Sequence, residues 1–231
     1  MSTNPISVII PAFNESTRIA TVLSLLREIP YIREILVVND GSSDRTADVV
    51  TACQTEDPRI HLISNAENLG KGQSVLLALQ QATAPYILML DADLHGLEAR
   101  HIDYLCQPVI RGNLDMTVGQ FKQGHWASDF SHWITPWLSG QRCIRRDLFM
   151  RLNFEASAGY GIETVLSVAS RQEKWRSRYI PLFGVSHPPS EIHRGSVRGR
   201  FSRIKKYLQI LRAWYIATMA LHARRSRQRL R

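Results

Sequence analysis

The stretch Tyr86-Ile-Leu-Met-Leu-Asp91-Ala-Asp93-Leu-His-Gly96 decides how the rest of the chain is read. A mostly apolar run passes straight into Asp-Ala-Asp, and such a run reads as a strand buried on both faces. Side chains two apart on a strand point the same way, so Asp91 and Asp93 are expected to project together from its carboxyl end. Open α/β sheets bind ligands at that edge. Two carboxylates there suit a hard divalent cation, Mg2+ or Mn2+, clamped between protein and a diphosphate. Two solvated aspartates in a turn have the same letters, so the surrounding chain must choose between the readings.

Outward from that stretch, strands are expected at Ser7–Pro11, Glu34–Val38, Arg59–Ile63 and Leu114–Val118, with a later one at Trp175–Pro181. Between them lie helical patterns. Ile19, Val22, Leu23 and Leu26 follow Ser16, which reads as a cap. Further helices are expected at about 45–54, from Asn68-Leu-Gly-Lys-Gly72 to about 82, and at 97–110. Alternation at nearly constant unit length means right-handed βαβ crossovers and a mostly parallel sheet. The first strand is followed by Pro11-Ala-Phe-Asn-Glu15, not by the Gly-x-Gly-x-x-Gly of dinucleotide folds, and no Walker loop occurs.

Composition is that of a globular protein, 44% hydrophobic and 21% charged. Cys53, Cys106 and Cys143 are widely spaced, which supports neither a disulfide framework nor a zinc site and fits a reducing cytoplasm. The N-terminus lacks the layout of a secretion signal, and no apolar run reaches the ~18 residues of a membrane span. The net charge of +9 is uneven: residues 194–231 hold 12 of the 29 Lys and Arg and none of the acids. Two units are expected, 1–190 catalytic and 191–231 a basic helical tail.

Four stretches, Val8-Ile-Ile-Pro-Ala-Phe-Asn-Glu15, Val37-Val-Asn-Asp-Gly-Ser-Ser-Asp44, Asn68-Leu-Gly-Lys-Gly72 and Leu90-Asp-Ala-Asp93, resemble in order and spacing the family 2 glycosyltransferases of GT-A fold. The dolichyl-phosphate mannosyltransferase-like branch and its bacterial relatives are the best match, over roughly residues 5–185. The resemblance implies a mostly parallel Rossmann-like sheet with flanking helices. It also implies metal-dependent, inverting single displacement from a nucleotide-diphosphate sugar. It assigns Pro11, Ala12, Asn14, Glu15, Asp40, Lys71 and Asp91 to the donor. Asp91 and Asp93 would hold the metal, with Asp93 the direct ligand. Each has a plainer alternative: a β-to-α turn for Asn14 or Ser16, a turn aspartate for Asp40, a solvated lysine for Lys71. Helix-opening amides and one ammonium at Gly70-Lys71-Gly72 suit a phosphate. Where relatives often carry two acids, this chain has Asn39 then Asp40.

Ser139-Gly-Gln-Arg-Cys-Ile-Arg-Arg-Asp147 resembles the family's acceptor-side segment, which makes Gly140, Gln141, Arg142 and Arg145 candidate acceptor contacts, with some of the arginines solvated on a helix. Glu163, in Gly159-Tyr-Gly-Ile-Glu163, is the candidate acceptor-side carboxylate, as base or orienting group; a first-turn glutamate stabilising its helix is the alternative. A late histidine often reaches the metal in such enzymes, which singles out His187. Trp126, Phe130, Trp133 and Trp137 share one helical face, fit for core, acceptor or membrane. The tail alternates apolar and basic residues in the manner of an interfacial helix. It suits an anionic membrane surface on the cytoplasmic side; docking on the catalytic domain or in a homodimer is the other use, and nucleic acid is disfavoured for want of a binding motif. The expected activity is therefore transfer to a lipid-linked acceptor such as a polyprenyl phosphate. The alternatives are a soluble phosphorylated or glycan acceptor, or a catalytically silent nucleotide-binding tether.

Overall fold

Apolar residues that alternate across buried strands build one seven-stranded sheet, with strands in the order β3-β2-β1-β4-β6-β5-β7. The strands are β1 (Ile6–Ala12), β2 (Ile32–Asp40), β3 (Ile60–Asn65), β4 (Tyr86–Met89), β5 (Met116–Lys122), β6 (Arg142–Arg145) and β7 (Ser177–Phe183). This computed structural model describes residues 5–122, 139–152 and 161–186. His187, the Trp126–Trp137 stretch, Gly159 and the basic tail lie outside the described residues. Pairings β1·β2, β1·β4, β2·β3 and β5·β7 are parallel, whereas β6 runs antiparallel between β4 and β5. The sheet is thus the mostly parallel α/β sheet expected, with one reversed strand that no hydrophobic pattern announced.

Six described helices flank it: α1 (Ile19–Arg27), α2 (Thr46–Glu56), α3 (Lys71–Gln81), α4 (Ala99–Ile110), α5 (Arg146–Met150) and α6 (Gly161–Gln172). Alternation sends Val8, Ile10, Leu88 and Leu90 to one core with α1 and α4, and Ile9, Ile87 and Met89 to a second core with α3, α5 and α6. β4 is therefore buried on both faces. Ser16 does not cap α1. The Glu15 carbonyl accepts the amides of Arg18 and Ile19 at 3.0 Å, and the Ser16 amide donates to Asp44 Oδ2 at 3.1 Å. Asp44 makes the turn that leads into α2: its Oδ1 accepts the Thr46 amide at 2.9 Å.

The reversed strand is anchored by charge at its far end. Asp115 accepts from the Arg176 amide at 2.9 Å and from its guanidinium, and pairs with Arg145 Nη1 at 3.3 Å. The Arg176 hydrogen bonds outweigh burial and hold the Asp115 carboxyl at about 2. A carboxyl depressed by folding adds stability above its unfolded value, near 3.8, and loses it as pH falls through about 2. Asp115→Asn should therefore flatten the acid limb of stability between pH 4 and 2, read as urea midpoints across that window. A limb as steep as in the parent protein would show that this clamp contributes nothing.

Candidate active site

The chain leaves β1 for β2 and β3 on one side, then returns to place β4 on the other side of β1. Sheets of this kind open a crevice at such a reversal, outside the carboxyl ends of the strands. Pro11 and Ala12 end β1, Asp40 ends β2, Lys71 opens α3, and Asp91 and Asp93 follow β4. β6 enters the same edge because Arg142 pairs with Met89.

The β1 and β2 exits are tied together by backbone and short side chains. Asn14 sits at φ 57°, the left-handed region that asparagine tolerates. Its amide donates to Ser42 Oγ at 2.9 Å, and its Oδ1 accepts the Ser43 amide at 2.9 Å. Asp40 is 3% exposed. Its carboxylate accepts the amides of Leu69 (2.9 Å) and Gly70 (2.8 Å) and Asn65 Nδ2 (2.8 Å). Gly70 meets that carboxylate at φ 88°, where a side chain would be strained. Asp40 thus organises the loop that aims α3; this is the work the geometry gives it, beside the donor role the motif suggested.

The tightest feature is an ion triad. Lys71 Nζ lies 2.7 Å from Asp91 Oδ1 and 2.6 Å from Glu163 Oε1. Burial by itself would lower the Lys71 ammonium, but the charges of Asp91 and Glu163 overcome it and raise it well above the ordinary lysine range. Glu163, in the first turn of α6, is 4% exposed. Asp91 belongs with the α3 and α6 face, as do Ile87 and Met89 before it. A lysine at the start of one helix thus joins a carboxylate after the central strand to one on a helix more than seventy residues later.

Asp93 looks elsewhere. β4 stops at Met89, and Ala92 and Asp93 form a turn, so strand alternation does not carry through the Asp-Ala-Asp as expected. The Glu15 carboxyl is pushed up, first by burial and then by the charge of Asp93, while Arg18 at 2.8 Å opposes this. Asp93 and Glu15 therefore make an acid-rich corner at the β1 exit. Beyond Asp93, His95 and Ser186 exchange backbone hydrogen bonds at 3.0 and 3.1 Å. That bridge brings residue 186 beside the turn; His187 itself lies outside the described residues.

The acceptor-side candidates fall in two places. Arg145 pairs with Tyr86, at the opposite end of β4 from the crevice, and its guanidinium engages Asp147 at 2.9 Å and Asp115. Three residues of strand, about 10 Å, separate it from Arg142, so it is a structural ion-pair partner. Gln141 and Arg142 are 0% exposed and lie on β6 or its entrance, so Arg142 is not the solvated helix residue that was its plainer alternative. Arg142 Nε donates to the Ser139 carbonyl at 2.8 Å and Nη2 to Ser167 Oγ at 3.1 Å. Burial lowers its guanidinium to about 10, with the Glu163 charge working against that. Ser139 and Ser167 were not foreseen as supports; nothing in their spacing marks them.

Gly140 closes the triad from above. A Cβ there would fall 2.5 Å from Lys71 Nζ and 2.9 Å from both Asp91 oxygens. Gly140→Ala should push that pair apart and lower turnover about 10- to 100-fold with little loss of fold, since misplacement of about 1 Å can cost two decades. Steady-state donor turnover alongside a thermal melt checks this; wild-type turnover would show that the pair yields without cost.

A mostly parallel α/β sheet with acids gathered at the strand ends beside its reversal point defines the class of open α/β proteins that bind ligands at that edge. The chain belongs to glycosyl transferase family 2, whose sequence model matches residues 7–169. A dolichyl-phosphate beta-glucosyltransferase of Trichomonas vaginalis is 38% identical over 96 residues, covering 37% of this chain and 28% of that protein. The bactoprenol glucosyl transferase of Shigella phage SfV is 33% identical over 93 residues, 38% of this chain and 30% of that one. These alignments span under a third of the relatives' length. Glucosyl-3-phosphoglycerate synthase from Mycobacterium tuberculosis, solved with Mn2+, UDP-glucose and phosphoglyceric acid, superposes with a TM-score of 0.71 at 19% identity, over 93% of this chain and 79% of that one. The fold is accordingly the GT-A fold.

Proposed function

We propose that this chain transfers a sugar from a nucleoside-diphosphate donor to the phosphate of a polyprenyl carrier. The Lys71 ammonium, 2.7 Å from Asp91 and 2.6 Å from Glu163, carries the reading, because it places donor-side and acceptor-side acids about one cation. The names of the partial relatives, dolichyl-phosphate and bactoprenol glucosyl transferases, support a lipid phosphate acceptor.

In the reaction an acceptor phosphate oxygen attacks the anomeric carbon. The bond from that carbon to the donor phosphate oxygen breaks, and its electron pair leaves with the nucleoside diphosphate. A phosphate acceptor arrives ionised, so Glu163, engaged by Lys71, need only orient it. Pro11, Ala12, Asn14, Glu15 and Asp40 frame the nucleoside end. Lys71 sits where it can turn from Asp91 toward diphosphate oxygens.

The residues present fit a divalent cation, Mg2+ or Mn2+: after burial, the charge of Asp93 is what raises the Glu15 carboxyl, so two acids share a corner where a cation would relieve their repulsion. Asp93 would hold it, with His187, and Asp91 would join once Lys71 turns from its Oδ1 to the diphosphate. Among the described residues no group of three or more His, Cys, Asp or Glu is placed to cage a metal, so diphosphate oxygens would complete the shell. Bound there, the cation would supply charge neutralisation for the departing diphosphate.

No helix among the described residues is long and apolar enough to cross a membrane. The +12 tail, 194–231, is proposed to hold the enzyme on the anionic cytoplasmic leaflet, at about 1 kcal/mol per basic residue near the surface. Thermal shift with uridine and guanosine diphosphate sugars and Mn2+, followed by transfer of labelled sugar to polyprenyl phosphate, tests the activity. No shift and no transfer with any donor would overturn it. Flotation with anionic liposomes should be lost when the chain is cut after Glu191; undiminished flotation would remove the tail's role.

A further inference from the structure

Gln141 stands at the mouth of β6 with both ends of its amide engaged and no exposed surface. Its Nε2 donates to Asp91 Oδ2 at 2.7 Å. Its Oε1 accepts from Ser139 Oγ at 2.9 Å. The Asp91 carboxylate, which can only accept, fixes which way the amide faces, since the opposite orientation would set a carbonyl lone pair against it; the Ser139 hydroxyl then donates to the amide oxygen. The backbone holds the residue as firmly: its carbonyl accepts the Gly119 amide at 2.8 Å, which ties it to β5. The next residue, Arg142, donates to the Ser139 carbonyl and to Ser167 on α6. The short segment 139–142 is therefore fastened to β5, to α6 and to Asp91 at once.

Asp91 is consequently gripped on both oxygens, Oδ2 by Gln141 and Oδ1 by Lys71. A carboxylate with one oxygen fixed by a rigid neutral donor can turn only about that bond. The position of the Lys71 ammonium between Asp91 and Glu163 follows from this grip. Family resemblance placed Gln141 among acceptor contacts; its burial and its two partners give it other work.

We infer that Gln141, braced by Ser139, is a positioning residue that fixes Asp91 and, through it, sets the Lys71 ammonium between the donor-side and acceptor-side acids. The inference rests on the transferase reading for its catalytic consequence, but not for its geometric one. Supports of this kind around functional carboxylates are commonly worth 10- to 100-fold.

Two variants test it on the full chain. Gln141→Met keeps length and burial and removes both hydrogen bonds. Gln141→Glu can donate to Asp91 only while protonated. With the fold retained by melting temperature, Gln141→Met should lower kcat about 10- to 100-fold, leaving the acceptor KM within about threefold, and should do so at every pH. Gln141→Glu, which sets a second carboxylate against Asp91 when ionised, should lose at least as much kcat as Gln141→Met. Independently of turnover, loosening Asp91 should raise the rate at which acetic anhydride labels Lys71, measured by mass spectrometry against the remaining lysines. An unchanged labelling rate in Gln141→Met overturns the inference, as does a rise in acceptor KM with kcat intact, which would make Gln141 an acceptor contact. Absence of sugar transfer by the wild-type chain would instead sink the transferase reading, and the Lys71 labelling would still decide the role of Gln141.

Discussion

Asp93→Asn is expected to reduce sugar transfer by about a thousandfold or more while leaving the protein folded. Neutralising a departing diphosphate is worth several kcal/mol at the transition state, and each 1.4 kcal/mol is a factor of ten. The side chain lies half-buried in the turn after β4, and asparagine keeps its size, so the fold should be retained. Its neighbour reports the same change. The Glu15 carboxyl is raised by burial and by Asp93, so removing that charge should bring it back toward 4.5. A transfer assay with titrated Mn2+ and an NMR titration of Glu15 measure the two effects. Retention of transfer within tenfold would show that Asp93 does not bear the leaving-group charge.

Lys71→Met is expected to cost both stability and activity. It leaves Asp91 and Glu163, with side chains 18% and 6% exposed, facing one another without the ammonium that joins them. Removing one partner of a fully buried pair costs about 3–5 kcal/mol; with Lys71 at 29% exposure the loss should be nearer 2–3 kcal/mol. Transfer should fall at least about a hundredfold, because the two acids lose their common cation. Lys71→Arg should not restore it. A planar fork needs room beyond Nζ, and Gly140 already packs against that atom. Urea melts and transfer kinetics separate the two losses, and a variant as stable as the parent would show that Asp91 and Glu163 find other compensation.

Much of this arrangement was legible before any coordinates. Apolar runs of strand length, alternating with helical patterns, announced the parallel part of the sheet, because burial of both faces demands those letters. Short motifs at the strand ends marked Pro11 to Glu15, Asp40, Lys71, Asp91 and Asp93 as one edge, and the sheet order brings them there. β6 was not legible. Its Arg142-Cys-Ile-Arg145 carries charge at both ends, and only pairing with β4 and β5 makes a strand of it. For that reason Arg142 and Arg145, three residues apart, were assigned one role, whereas strand geometry sends one into the interior of the crevice wall and the other to the far edge of the sheet.

The sequence by itself determined the fold class, the family and the identity of the acids at the sheet edge, since these depend on local pattern and on order along the chain. The tertiary structure alone decided what each acid meets: Lys71 and Gln141 for Asp91, the like charge of Glu15 for Asp93, the α3 loop for Asp40. Partnership between charges is set by distances of a few ångströms across elements far apart in sequence, and one-dimensional spacing carries no such distance.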